Sequence, residues 1–498
     1  MNTTGDGKMI KRDPYLIAII IIAIIFSYAF SVYSITKYIS LNATGYDLGI
    51  ASQVYATTIH GKFFYSTLIG ERVFLQNTFR RSYSLIYPLY ALAPSPMTLL
   101  ILQSIVISFS SLPLFLIAQR LLVGKTNKNV ASPIALAISI SYLLSPYTES
   151  PISFDFHIMM FLNLFVFSSY YFFLRKNWVL NAVFLAFIVS LHSGYVFISL
   201  FIAISQYLML HPISLKSLKL ESLKNLIRQR NTALLASFFA ISFLYIMSVP
   251  LMKAFIDHAS GSASVGSLTP VGMASSSITG LLSIMLSDPG KFITYFLYNF
   301  PQKLSFFMYA FASTGFLAFL SPTTLLGSIP YFFFAYLSRY PAYYQLGYQY
   351  TVMLIPFVYV STAYGVSKIL GLISKFNKID DHLAKEAVKK MAILILAILI
   401  VGTALEIPMT PIAPHSIFVK QGAMVDLPSL KVGNASEAAF ALHKTIGDSN
   451  PYLLTTNNLF PVFSNDPNAY TTPYSNGTLT SMIYSFRFEY IVNDPSSY

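Results

Sequence analysis

The 498-residue chain is 55% hydrophobic and only 10% charged, with mean hydropathy +0.61, whereas soluble domains carry about 25% charged residues, so it cannot cover a water-facing surface. Its net charge of +13 would suggest nucleic acid in a soluble protein; here the cations lie mostly between apolar stretches, where they fit membrane topology and anionic lipid instead. The absence of cysteine excludes disulfides, thiolate catalysis and Cys-based zinc or Fe–S centres.

The apolar stretches have the length of membrane spans, about 20 helical residues each. Lys8, Lys11 and Arg12 precede a first span from residue 14 to about 35, which reads as a retained helix with its amino terminus inside. An outer segment follows over residues 36–95. It is the longest polar interruption in the first half and carries Asp47, His60, Lys62, Glu71, Arg72, Arg80 and Arg81. Any chemistry in this chain is expected there.

Span two is read over 96–118 and span three over 131–144. A short outer turn then carries Glu149 and Asp155-Phe156-His157. Span four is stopped by Arg175-Lys176, and spans five (178–191) and six (195–210) are joined by His192-Ser193-Gly194. Residues 216–230 read as a basic amphipathic helix on the inner surface. Span seven is placed at 233–251, and a Gly/Ser-rich outer loop at 257–280. Spans eight and nine straddle Ser321-Pro322, span ten covers 351–373, residues 375–390 form a charged inner loop, and span eleven covers 391–405. An odd number of spans puts the tail outside. The sequons at Asn42, Asn434 and Asn476 fall on that side, as a glycoprotein requires; a fourth, at Asn2, falls inside.

The expected fold is therefore an all-α polytopic membrane protein of about 11 transmembrane helices, residues 1–407. A small α/β extracytoplasmic appendage, residues 408–498, would follow. In it 437–446 reads as a helix, and 452–455 and 490–492 as short buried strands. No P-loop, Rossmann fingerprint or nucleophile elbow is present, so ATP-driven transport and cytosolic phosphoryl transfer lack support.

Five motifs carry a resemblance. They are Tyr46-Asp47-Leu48-Gly49-Ile50, Pro88-Leu89-Tyr90-Ala91-Leu92 with Pro94-Ser95-Pro96, Phe154-Asp155-Phe156-His157, Leu354-Ile355-Pro356-Phe357, and Asn457-Asn458-Leu459-Phe460-Pro461. In order and spacing the chain resembles a prokaryotic family of uncharacterised multi-span membrane proteins, a domain of unknown function. That family is distantly similar to the GT-C membrane glycosyltransferases, which use a polyprenyl-phosphate-linked sugar donor. The chain departs from the family's His-Phe-Ser-Pro-like motif at Thr78-Phe79-Arg80-Arg81, and from its Lys-Glu-Asp-like turn at Leu191-His192-Ser193-Gly194.

The resemblance implies a GT-C-like fold with a site at the outer face. Asp47 is then the candidate catalytic base or metal ligand, with Asp155 and His157 as further catalytic contributors. Transfer from a phosphate-linked donor also needs cations on the leaving phosphate, for which Arg72, Arg80 and Arg81 are candidates. His192, Gln349 and Tyr350 are candidate substrate contacts. Each has a plainer alternative: Asp47 as a helix cap, the arginines as headgroup contacts, Asp155 and His157 as a structural pair, Tyr350 as an interface anchor. A divalent metal could be assembled from the outer histidines and carboxylates, although no local spacing such as His-Glu-x-x-His supports one. The partners implied are membrane lipid and a polyprenyl-phosphate-linked sugar. The non-enzymatic alternative is a membrane scaffold or partner subunit on the same fold.

Overall fold

The computed structural model describes residues 13–69, 72–73, 82–192, 194–210, 272–275, 278–375, 381–410, 430–471 and 488–493. Arg80, Arg81, the amphipathic stretch 216–230, span seven, most of the Gly/Ser-rich loop and the Asn476 sequon lie outside these residues.

Five helical stretches are long and apolar enough to cross a membrane: Pro14–Ile39, Pro96–Val123, Lys128–Ser153, Gln349–Ser374 and Lys385–Met409. Their burial differs sharply. The most apolar part of Gln349–Ser374 is 83% buried, against 22% for Pro14–Ile39 and 28% for Lys385–Met409. The first lies in the middle of the bundle, and the other two present their side chains outward, as helices bordering lipid should. Three shorter apolar helical stretches, Ile158–Leu174, Trp178–Leu191 and Tyr195–Leu210, complete this part of the bundle.

Helix α1 (Pro14–Ile39) begins where Pro14 occupies a first-turn position that needs no N–H donor. The Asp13 carboxylate caps it, accepting from the Tyr15 N–H at 3.1 Å. Its C-terminal end leads into a wide π-type turn (Gly45–Gly49) and helix α2 (Ile50–Ile59). The short antiparallel strands β1 (Tyr65–Ser66) and β2 (Arg72–Val73) follow, and then helix α3 (Tyr83–Leu92).

Three expectations need correction. Glu149 does not lie in an outer turn: it is buried in helix α4 (Pro146–Ser153), which prolongs span three. Residues 381–390 are not part of a loop but the first turns of the last long helix (Asp381–Glu406). The stretch expected to hold spans eight and nine is broken into short pieces instead. Gly315 and Phe316 take left-handed conformations, and Pro322 and Pro330 each start a new turn. Interrupted backbone at membrane depth is tolerated where protein buries it and side chains meet its polar groups. Here Thr324 and Ser321 are buried, and Thr324 Oγ1 donates to the Ser321 carbonyl at 2.8 Å.

In the tail, helix α5 (Asn434–Ile446) precedes three short parallel strands in the order β4–β3–β5: β3 is Leu453–Thr455, β4 Ala469–Thr471 and β5 Tyr490–Val492. Strand β3 is fully buried, but β5 lies at the edge with Tyr490 and Ile491 exposed, contrary to the buried strand expected there.

The tail is fastened to the segment after α1. Gln53 Nε2 donates to the Asp466 and Ala469 carbonyls at 3.3 and 3.0 Å. The Tyr90 hydroxyl donates to Asn465 Oδ1 at 2.6 Å, and Asn465 Nδ2 donates to the Pro94 carbonyl at 2.8 Å. Ser436 Oγ donates to the Ile39 carbonyl. Tyr90 and Pro94 belong to one quoted motif, so its polar groups serve tail docking.

Candidate functional site

The turn Gly45–Gly49 is pressed into shape from the tail. The Gly45 N–H donates to the Asn457 carbonyl at 2.8 Å and its side-chain oxygen at 2.9 Å, and the Tyr46 N–H reaches the same side chain at 3.3 Å. A Cβ on Gly49 would stand 2.5 Å from Phe460 Cδ1, and one on Gly45 3.0 Å from Asn457 Oδ1. Both glycines are therefore required by close approach rather than by a positive φ. The Gly-Tyr-Asp-Leu-Gly and Asn-Asn-Leu-Phe-Pro motifs are two halves of one contact. π-type turns recur at functional sites, and this one carries Asp47.

Asp47 does not cap a helix; the cap positions of its turn and of α2 are Thr44 and Gly49. Its side chain turns to Thr44 and to the Asp155 loop. Thr44 Oγ1 lies 3.0 Å from Asp47 Oδ2 and 2.9 Å from Asp155 Oδ2, and the Thr44 N–H donates to Asp155 Oδ2 at 2.7 Å. One hydroxyl hydrogen thus serves two carboxylates. The charge on Asp155 is met by Lys37, whose ammonium donates to Oδ1 at 2.8 Å and lies 5.6 Å from the Phe154 ring centroid. Both side chains of that pair are buried, 9% and 2% exposed, whereas Asp47 is 26% exposed.

His157 completes the group. Its Nε2 lies 3.3 Å from Asp47 Oδ1 and 3.4 Å from Gln349 Nε2. The loop before the central helix adds Tyr348, whose ring packs on Phe154 at 5.6 Å. It also adds Tyr340, whose phenol is pushed above its ordinary pKa by burial and then by the charge of Asp47. Beside Thr44 lies a cavity of about 470 Å³ lined by Ser40, Asn42, Thr44, Lys431, Ser436 and Asn458 among others.

The structure thus gathers Asp47, Asp155, His157 and Gln349, from three segments far apart in the chain. It does not gather every candidate. The His192 ring accepts from the Gly194 N–H at 3.1 Å and packs on Tyr195, a local turn contact. Tyr350 packs on Tyr343 with ring centroids 4.5 Å apart. Arg72 lies in β2, its backbone paired with Ser66; Arg80 and Arg81 lie outside the described residues. Sequence reasoning missed Lys37, Thr44, Asn457 and Tyr340. Lys37 belongs to no motif in the sequence, and Thr44 stands only as part of a sequon. Asn457 does carry a signal, its place in the Asn-Asn-Leu-Phe-Pro motif.

The donor set does not suit a divalent metal. Both Asp155 oxygens are engaged, by Lys37 and Thr44, and among the described residues no group of three or more histidines and carboxylates could hold an ion. What remains is a partly exposed carboxylate backed by an imidazole and held in place by a buried, charge-balanced network. Such a group can accept a proton from a hydroxyl.

Residues 37–497 match the family model described as predicted membrane protein (DUF2079). No curated protein sequence matches the chain. Among solved structures, the crystal structure of ArnT from Cupriavidus metallidurans in the apo state aligns over 95% of this chain and 89% of that one, with a TM-score of 0.46 and 10% sequence identity.

Proposed function

This chain belongs to the DUF2079 family of predicted membrane proteins, and from that premise we propose that it is a GT-C-like membrane glycosyltransferase. It would move a sugar from a polyprenyl phosphate to an acceptor at the outer membrane face, with the amino terminus inside and residues 408–498 outside. The supporting observation is the meeting of Asp47, Asp155 and His157 around Thr44, with Asp155 neutralised by Lys37.

In this reading Asp47 takes the proton of the acceptor hydroxyl. The hydroxyl oxygen bonds to the anomeric carbon as the bond from that carbon to the phosphate oxygen breaks, and the electron pair leaves with the polyprenyl phosphate. His157 orients Asp47 through its Nε2. Asp155 is a positioning residue, because Lys37 and Thr44 engage both of its oxygens.

That engagement favours a second reading, in which the network is structural and the protein is a membrane scaffold or partner subunit. The two separate on one residue. General base catalysis contributes about 10²–10⁴-fold, so Asp47→Asn should remove transfer by that factor while leaving protein levels intact. Mass spectrometry of envelope glycans and lipid-linked sugars reads the outcome. Unchanged profiles at normal protein abundance would discard the transferase and leave the scaffold.

A further inference from the structure

We propose that Lys303 and Arg339 form a phosphate subsite that takes the headgroup of a lipid-borne phosphate beside the Asp47 site. The proposal rests on the transferase reading and deepens it, moving the phosphate contact away from Arg72, Arg80 and Arg81.

Lys303, on the helix Phe300–Ala312, is completely buried. Its ammonium donates to the Tyr336 and Tyr295 carbonyls at 2.7 and 3.2 Å and lies 5.2 and 5.9 Å from the Tyr344 and Tyr298 ring centroids. The Arg339 guanidinium stacks over Tyr295 at 4.2 Å and shares the Tyr298 ring at 5.3 Å. The two cations thus meet over one ring, that of Tyr298. Among the described residues neither forms an ion pair; the three ion pairs there belong to Lys37, Lys128 and His157.

Two like charges held together, one of them buried and neither met by a carboxylate among the described residues, are balanced best by an anion from outside the chain. A phosphate matches both donors: the guanidinium fork takes two of its oxygens, and the ammonium adds a point charge. Arg339 is exposed, so the subsite is open on that side.

One observation assigns the phosphate to a lipid rather than to solution. The neighbouring surface is apolar and exposed, with Ile293, Phe296 and Leu297 on one helix and Leu304 and Met308 on the next, an apolar bed suited to a prenyl chain. The subsite is joined to the Asp47 site by one loop: the stretch that carries Arg339 and Tyr344 goes on to Tyr348, packed on Phe154, and Gln349, 3.4 Å from His157.

The test uses the full chain in nanodiscs of neutral lipid, with binding of polyprenyl monophosphate followed by native mass spectrometry. Arg339→Gln and Lys303→Met should each weaken binding at least about 10-fold, as expected for losing a charge-assisted contact. Arg339→Lys should recover part of the loss, and neutral polyprenol should not discriminate the variants. Inorganic phosphate should compete only at far higher concentration than the lipid; equal competition would overturn the lipid assignment. Wild-type affinity in both variants would overturn the subsite. The transferase reading fails separately, if Asp47→Asn leaves transfer intact while Arg339-dependent binding persists.

Discussion

Two charged regions of this protein are built on opposite terms. Around Asp47 the carboxylates are met from within the chain: Lys37 forms an ion pair with Asp155, Thr44 joins both carboxylates, and the His157 ring lies 3.3 Å from Asp47. Around Lys303 the described residues supply two cations, with carbonyls and tyrosine rings to face them and no carboxylate in an ion pair with either. A self-balanced network is preorganised and holds its geometry without a ligand, whereas an unbalanced one is kept for something that arrives. The contrast makes opposite predictions for two lysines. Lys37→Met leaves Asp155 buried and unpaired, so stability should fall by about 3–5 kcal/mol. Lys303→Met removes a buried cation that has no countercharge among the described residues, so stability should hold or rise. Thermal unfolding of both variants in detergent checks the pair; losses of equal size would erase the distinction between the regions.

The next effect tests how the balanced region is held. Gly49→Ala places a Cβ about where Phe460 Cδ1 now packs, 2.5 Å away. Overpacking of this kind costs about 1–3 kcal/mol, and the loss should appear as loosening of the tail rather than of the helical bundle. Hydrogen exchange over residues 453–471 reads it, and Phe460→Leu in the Gly49→Ala background should restore part of the protection. If the double variant is no better than the single, the turn and the tail are not coupled through this contact.

Much of this was legible in the sequence because the signals were local. The first helix and the stretches Trp178–Leu191 and Tyr195–Leu210 follow directly from apolar runs bounded by proline, asparagine or glycine. Asp47, Asp155 and His157 stood out as ionisable residues beside spans. Periodicity could not show that Lys37 crosses 118 residues to reach Asp155, or that Lys303 and Arg339 share one tyrosine. A cation near a span end looks the same whether it snorkels to water or is buried against a carboxylate. The interrupted stretch from Phe300 to Leu337 was hidden for a related reason: its apolar composition suits two spans, while two left-handed residues and two prolines cut it into short pieces.

The smallest effect expected is a pH dependence in the tail, from a carboxylate that the balanced region leaves unneutralised. Asp466 Oδ1 accepts from the Asn468 N–H at 2.7 Å, while Oδ2 is buried with no hydrogen-bond partner among the described residues. Burial pushes this carboxyl up to about 6, with the charge of Glu489 adding to the rise and the Asn468 N–H and Lys62 opposing it. A carboxyl that holds its proton more tightly when folded favours the folded state at low pH. Its contribution is complete below the ordinary carboxylate range and is lost as pH rises through about 6. Asp466→Asn supplies a permanently neutral side chain, so the variant should gain on the wild type as pH rises from about 4 to 6 and keep a constant advantage above. Because Gln53 holds the Asp466 carbonyl, the gain should register as hydrogen-exchange protection where the tail meets Gln53. A wild-type tail that tightens as pH rises through this window, relative to Asp466→Asn, would mean that Asp466 is charged and paired in the folded protein. The charge balance of the Asp47 region would then extend into the tail that shapes it.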